Sequence, residues 1–153
     1  MNHAEEAARL FMEGYNCAQS VFLAFRDLTG YDWKEAARLS SSFGAGMGRL
    51  REVCGGVSGM FLVAGLLYGY DSPTDLESKK EHYARIQELA AAFKAKRGSI
   101  VCRDILRNPS TDPAPSPRTA EYYAKRPCAR VVYEAAAVLD AYIAEHPIPA
   151  GEA

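Results

Sequence analysis

The segment from Val53 to Tyr70 constrains this chain most, because its 18 residues contain no charged side chain. A membrane span needs about 20 predominantly apolar residues. This segment also carries Cys54, Ser58 and several glycines, and charged residues flank it closely. It therefore reads as the buried central helix of a globular fold, with Val57 to Leu67 its most enclosed part. Gly55 and Gly59 are four residues apart, as are Gly65 and Gly69. Each glycine costs a helix about 1 kcal/mol relative to alanine, so close packing against a neighbour must repay it.

Other helices can surround such a core. Ala4 to Met12 shows helical spacing and stops at Gly14. Asn16 is placed to cap a helix from Cys17 to Leu28, which Gly30 ends. Asp32 can cap a third helix from Trp33, with Ala36, Ala37 and Leu39 facing inward. Ser72-Pro73 reads as the start of a long polar helix. Its inward positions are Leu76, Tyr83, Ile86, Leu89, Ala90 and Phe93, and it closes at Gly98 after a basic last turn. A short helix is expected around Cys102 to Leu106, with Ser99 as a candidate cap. A flexible loop follows over 108–117, where four prolines lie. Pro127 begins the last helix, Cys128 to about Glu145, and 147–153 form a tail. No segment alternates like a strand. The expected fold is all-α, one helical bundle over 1–153.

The charge balance is nearly neutral, at -1. No global field attracts nucleic acid or an anionic membrane surface, so neither is an expected partner. The opening residues lack a basic region followed by an apolar one, so a signal peptide is not expected and the cytoplasm is the expected location. In that compartment thiols stay reduced, and four cysteines point away from a structural disulfide framework.

The placement of those cysteines carries the functional argument. Cys17 follows the cap Asn16, Cys128 follows Pro127, Cys54 opens the central helix, and Cys102 stands near the start of a short one. Unpaired N–H groups and the positive end of the dipole favour anions at such positions. A thiolate there has a lowered pKa, and thiolate is the reactive and metal-binding form. Arg49, Arg51, Arg103 and Arg126 are near in sequence and add positive potential. Buried cysteine more often serves as a small hydrophobe. Four at helix starts are harder to explain that way.

Weaker candidates can be set aside. His3, His82 and His146 lie on polar or terminal segments and are expected at the surface. No Cys-x-x-Cys pair and no phosphate-loop pattern occurs. Gly44, Gly46 and Gly48, with Gly55 and Gly59, instead allow backbone to approach a neighbouring segment or a bound group beside Cys54.

Three stretches carry a family resemblance: Gly14-Tyr15-Asn16-Cys17-Ala18-Gln19-Ser20-Val21, Phe43-Gly44-Ala45-Gly46-Met47-Gly48, and Cys54-Gly55-Gly56-Val57-Ser58-Gly59. With Cys102 and Cys128 following in order, the chain resembles the redox-active C-GCAxxG-C-C family from about Ala8 to Ile143. Gly56 stands where that pattern has alanine. The resemblance implies redox chemistry at the cysteines and specifies no substrate.

Three functions remain open. Cys17, Cys54, Cys102 and Cys128 are enough thiolates to ligate a 2Fe–2S cluster or another metal for electron transfer or redox sensing. Alternatively, two of them perform metal-free thiol–disulfide exchange. The third reading is a structural zinc site, or an inert core, in a non-enzymatic binding protein. A redox partner protein and a homodimer are compatible with each. The metal and thiol–disulfide readings share one spatial expectation, that at least three of the four sulfurs cluster within about 8 Å, whereas an inert core would place the cysteines apart.

Overall fold

A computed structural model describes residues 2–108 and 110–149 of the chain. Ten helical elements follow one another: α1 (His3–Met12), α2 (Cys17–Ala24), α3 (Arg26–Thr29), α4 (Trp33–Ser41), α5 (Gly44–Met47), α6 (Gly55–Tyr68), α7 (Leu76–Arg97), α8 (Cys102–Leu106), α9 (Ala120–Lys125) and α10 (Cys128–Glu145). The all-α architecture is as the sequence implies. Among the described residues the one β feature is an isolated antiparallel bridge between Val53 and Val101.

Local sequence explains most boundaries. The Asn16 side chain accepts the Gln19 amide while Gln19 accepts the Asn16 amide, a reciprocal capping box that starts α2. Asn2 and Glu5 do the same for α1. Gly30 and Gly98 end α3 and α7 in the left-handed conformation. The helix expected to run from Cys17 to Leu28 instead breaks at Phe25, which is fully buried, and resumes as α3. The long helix is capped by Asp75, whose carboxylate accepts the Ser78 amide. It therefore starts after Ser72-Pro73, not at it.

α6 shares the centre of the bundle with α2. Ala18, Val21 and Phe22 of α2 are fully enclosed, as are Val57, Met60 and Val63 of α6. Gly59 makes their contact possible: a Cβ there would stand 2.7 Å from the Ala18 carbonyl oxygen. Gly65 serves no such purpose, since nothing lies within 4 Å of where its Cβ would be. α6 is thus not the single most buried element, and its Leu66 is exposed. α1 and α10 pack along each other on the other flank of α2.

Several expected inward positions face solvent. Leu39 is 46% exposed and Leu76 69%, and Tyr83 is also exposed, so α7 buries only Leu89, Phe93 and His82. Its stripe is narrower than its apolar spacing suggests because α7 rests on the edge of α6 and α10. The histidines differ too. His82 is buried beside Arg85, and His3 is half-buried between Asp27 and Asp140. The helix α9, capped by the Thr119 hydroxyl, lies just beyond the proline-rich loop and has no counterpart in the sequence reading. Of the expected tail 147–153, residues 150–153 lie outside the described part, as does Pro109 in the loop.

Candidate functional site

All four cysteines line a single cavity of about 290 Å³. Each comes from a different helix start. Cys17, Cys102 and Cys128 are the first residues of α2, α8 and α10, and Cys54 is the N-cap of α6. The four cysteines thus border the same space, and all are free thiols.

Two devices bring the helix starts together. The first is the short pairing of 51–54 with 100–103. The Cys54 amide donates to the Ile100 carbonyl at 2.7 Å, and the Cys102 amide donates to the Glu52 carbonyl at 2.6 Å. This pairing sets Cys54 and Cys102 on adjacent strands of chain, and it involves no periodicity that a sequence reveals. The second is the turn after α4. Five consecutive residues, Ala45 to Arg49, have positive φ between 54° and 72°, and Arg51 has 62°. A left-handed conformation costs a non-glycine residue roughly 1–2 kcal/mol, so surrounding contacts must hold this turn in place. Gly46 shows why it is tight: a Cβ there would be 2.7 Å from both Arg51 Cα and Cys102 Cβ.

The expected glycine sites divide accordingly. Gly44, Gly46, Gly48 and Gly55 line the cavity, while Gly59 lies at the α2–α6 contact and does not. Gly44 backs against the Asn16 side chain, and a Cβ on Gly55 would stand 3.0 Å from Cys17 Cβ.

The four thiols are not equivalent. Interaction with Cys128, together with burial, pushes the Cys17 thiol well above the usual thiol range. The same interaction holds Cys128 below that range, against the opposing effect of its burial, and Arg126 acts in the same direction. The Ala45 amide of the left-handed turn donates to Cys17 and partly offsets the rise. Burial pushes Cys54 up to about 12, despite the amides of Gly56 and Val57. Cys102 is also raised by burial, although Arg51 Nη1 stands 3.7 Å from its sulfur. Helix-start amides thus favour thiolate at Cys54, where desolvation outweighs them, while Cys128 is lowered by Cys17 and Arg126 instead.

Arginines surround the thiols. Arg118, absent from the sequence reading, stacks on Phe11 with its guanidinium carbon 4.2 Å from the ring centre. It also donates to the carbonyls of Phe11 and Tyr15. Arg126 lies over Tyr122 at 4.9 Å. Arg49 Nε donates to the Asp112 carbonyl, Arg51 Nε to that of Ser110, and Arg126 to the Ser116 hydroxyl. Three arginines therefore strap the described part of the proline-rich loop across the cavity. Arg103 turns away and pairs with Glu52. The pattern Thr119-Ala120-Glu121, a cap followed by an acidic first turn, is the signal that could have revealed α9 and its cavity residue Tyr122. Among the described residues no three His, Cys, Asp or Glu side chains are arranged to hold a metal ion.

A family model described as "Putative redox-active protein (C_GCAxxG_C_C)" matches residues 15–142, a span that includes all four cysteines. The chain belongs to this family. Membership agrees with the resemblance carried by the Cys17, glycine-turn and Cys54 segments. No match was found among curated proteins or among solved structures. No described helix is long and apolar enough to cross a membrane.

Proposed function

We propose that this redox-active family member is a metal-free thiol–disulfide oxidoreductase whose working pair is Cys128 and Cys17. The single observation that supports this reading is that the first residues of α2 and α10 line one cavity, where their interaction holds Cys128 toward thiolate and Cys17 toward thiol. Thiol–disulfide exchange needs one attacking thiolate and a second thiol in contact with it.

The chemistry follows from that arrangement. The Cys128 thiolate attacks one sulfur of a small disulfide, and the other substrate sulfur leaves as thiolate and takes the Cys17 proton. Cys17, now a thiolate, attacks the Cys128 sulfur of the mixed disulfide. The second substrate sulfur leaves and takes a proton from water. Two electrons pass from the protein pair to the substrate, which ends as two thiols, and the protein carries a Cys17–Cys128 disulfide. Arg126 and the Ala45 amide stabilise negative charge on the two sulfurs during these steps. Cys54 and Cys102, kept as thiols by burial, form the wall of the site.

A second reading, a 2Fe–2S cluster or zinc held by all four cysteines, is favoured by their common cavity. It requires the thiols to reorient toward one point. Anaerobic purification followed by metal analysis and a disulfide-reduction assay separates the two readings. The dithiol reading predicts protein free of iron and zinc that reduces bis-hydroxyethyl disulfide, with activity abolished in Cys128→Ser. Stoichiometric metal, or turnover that survives Cys128→Ser, overturns it.

A further inference from the structure

The cavity wall contains a charged group that the thiol chemistry leaves unused. Arg51 is 1% exposed and lines the cavity, yet its Nη2 has no hydrogen-bond partner among the described residues. Its other nitrogens are engaged, Nε with the Ser110 carbonyl at 2.9 Å and Nη1 with the Cys102 sulfur at 3.7 Å. A buried guanidinium N–H without an acceptor is costly, and a charged one more so.

Its surroundings do not supply the missing acceptor. Arg49, Arg118 and Arg126 also line the cavity, and among the described residues no Asp or Glu does. Arg49 is itself pushed toward its neutral form by burial and by the nearby charges of Arg51 and Arg126. Asp112 attracts Arg49 but stands outside the lining. Like charges gathered around one cavity repel, and an anion that joins them relieves the repulsion.

We infer that the corner of the cavity at Arg51 is an anion subsite, which takes a carboxylate of a small molecule whose sulfur is presented to the cysteines. This rests on the thiol–disulfide reading for the reacting end of the ligand, but the subsite itself rests only on Arg51 and its neighbours. A planar carboxylate suits a guanidinium corner, because it accepts from Nη2 and leaves a second oxygen for Arg49 or Arg126. The cavity volume of about 290 Å³ limits the ligand to a compact molecule rather than a folded protein surface. The substrate class is therefore a small carboxylate-bearing disulfide.

Three disulfides of similar size test it: dithiodiglycolate, which is anionic, bis-hydroxyethyl disulfide, which is neutral, and cystamine, which is cationic. Adipate, the carbon analogue of the first, reports binding without chemistry. The full-length reduced protein should bind adipate by calorimetry, with affinity about tenfold or more lower in Arg51→Met. It should reduce dithiodiglycolate at least tenfold faster than the other two, and Arg51→Met should erase that preference. If Arg51→Met fails to fold, Arg126→Gln, at the cavity edge, should weaken adipate binding by a smaller factor. Adipate binding that depends on Arg51, with no disulfide reduced at all, keeps the subsite and removes only the thiol–disulfide reading. Equal rates for all three disulfides with no arginine-dependent adipate binding overturn the subsite.

Discussion

Cys17 and Cys128 meet across the first turns of α2 and α10, where the proton that Cys17 retains stabilises negative charge on Cys128. Residues 111 positions apart in sequence are thus joined into one acid–base unit. Their opposite displacements from the ordinary thiol range share their largest cause, the interaction of the pair.

The first prediction follows from that cause. Cys17→Ala removes the donor, so the alkylation profile of Cys128 against pH should move to higher pH. Cys17→Ser keeps a hydroxyl donor and should restore part of the shift. An unchanged Cys128 profile in Cys17→Ala would mean that Arg126 alone sets its ionisation.

Much of this arrangement was legible in the sequence, for local reasons. Asn16 and Pro127 announce the starts of α2 and α10, so the placement of Cys17 and Cys128 at helix N-termini follows from neighbours in the chain. Gly98 marks the end of α7 for the same reason. What remained hidden depends on partners far away. The pairing of Val53 with Val101 joins segments without any strand pattern, and the burial of Arg51 depends on Cys102 and Ser110. The dominance of burial over the helix dipole at Cys54 also needs the finished core. Leu39 and Leu76 illustrate a related limit, since apolar spacing predicts a face but not whether a neighbour covers it.

Gly56 offers a test of packing beside the site. A Cβ at this position would meet Ala135 Cβ at 3.5 Å and Cys54 Sγ at 3.7 Å, ordinary contact distances. Gly56→Ala should therefore stabilise the protein by about 0.5–1 kcal/mol through helix propensity. Gly59→Ala meets the Ala18 carbonyl at 2.7 Å instead and should destabilise it by about 1–3 kcal/mol. Urea denaturation of the two variants checks both signs. A stable Gly59→Ala would show that α2 and α6 can separate freely.

Alkaline stability should depend on Cys54. Its thiol ionises at about 12 when folded, while an unfolded thiol ionises near about 8.5. The contribution of the neutral thiol is complete below the unfolded value and is lost as pH rises toward the folded one. Cys17 and Cys102 add to the loss, and Cys128 opposes it. Unfolding free energies measured at pH 8 and pH 10.5 should fall less steeply in Cys54→Ala than in the unmodified protein. The difference should be on the order of 1–3 kcal/mol over that interval. Identical slopes would place Cys54 in a solvated environment.

His3 should act in the same direction but in a lower pH window. Burial disfavours its charge, but hydrogen bonds to Asp27 and Asp140 outweigh that and raise its pKa above 6.5. The stabilisation is fully present below about pH 6.5 and disappears as pH rises through the folded value. His3→Gln should therefore cost more at pH 5.5 than at pH 8.5, by less than about 1 kcal/mol because solvent screens the pair. A cost independent of pH would assign the role of His3 to its stacking on Phe25 alone.

The central claim is that Cys17 and Cys128 form one two-electron couple. Equilibrating the intact protein with glutathione buffers of graded potential, then quenching with acid and mapping disulfides by mass spectrometry, tests it most directly. The account predicts a single reversible two-electron transition in which Cys17 becomes linked to Cys128 while Cys54 and Cys102 remain thiols. A Cys17–Cys128 linkage absent from every oxidised species, or a transition that joins Cys54 to Cys102 instead, would contradict it.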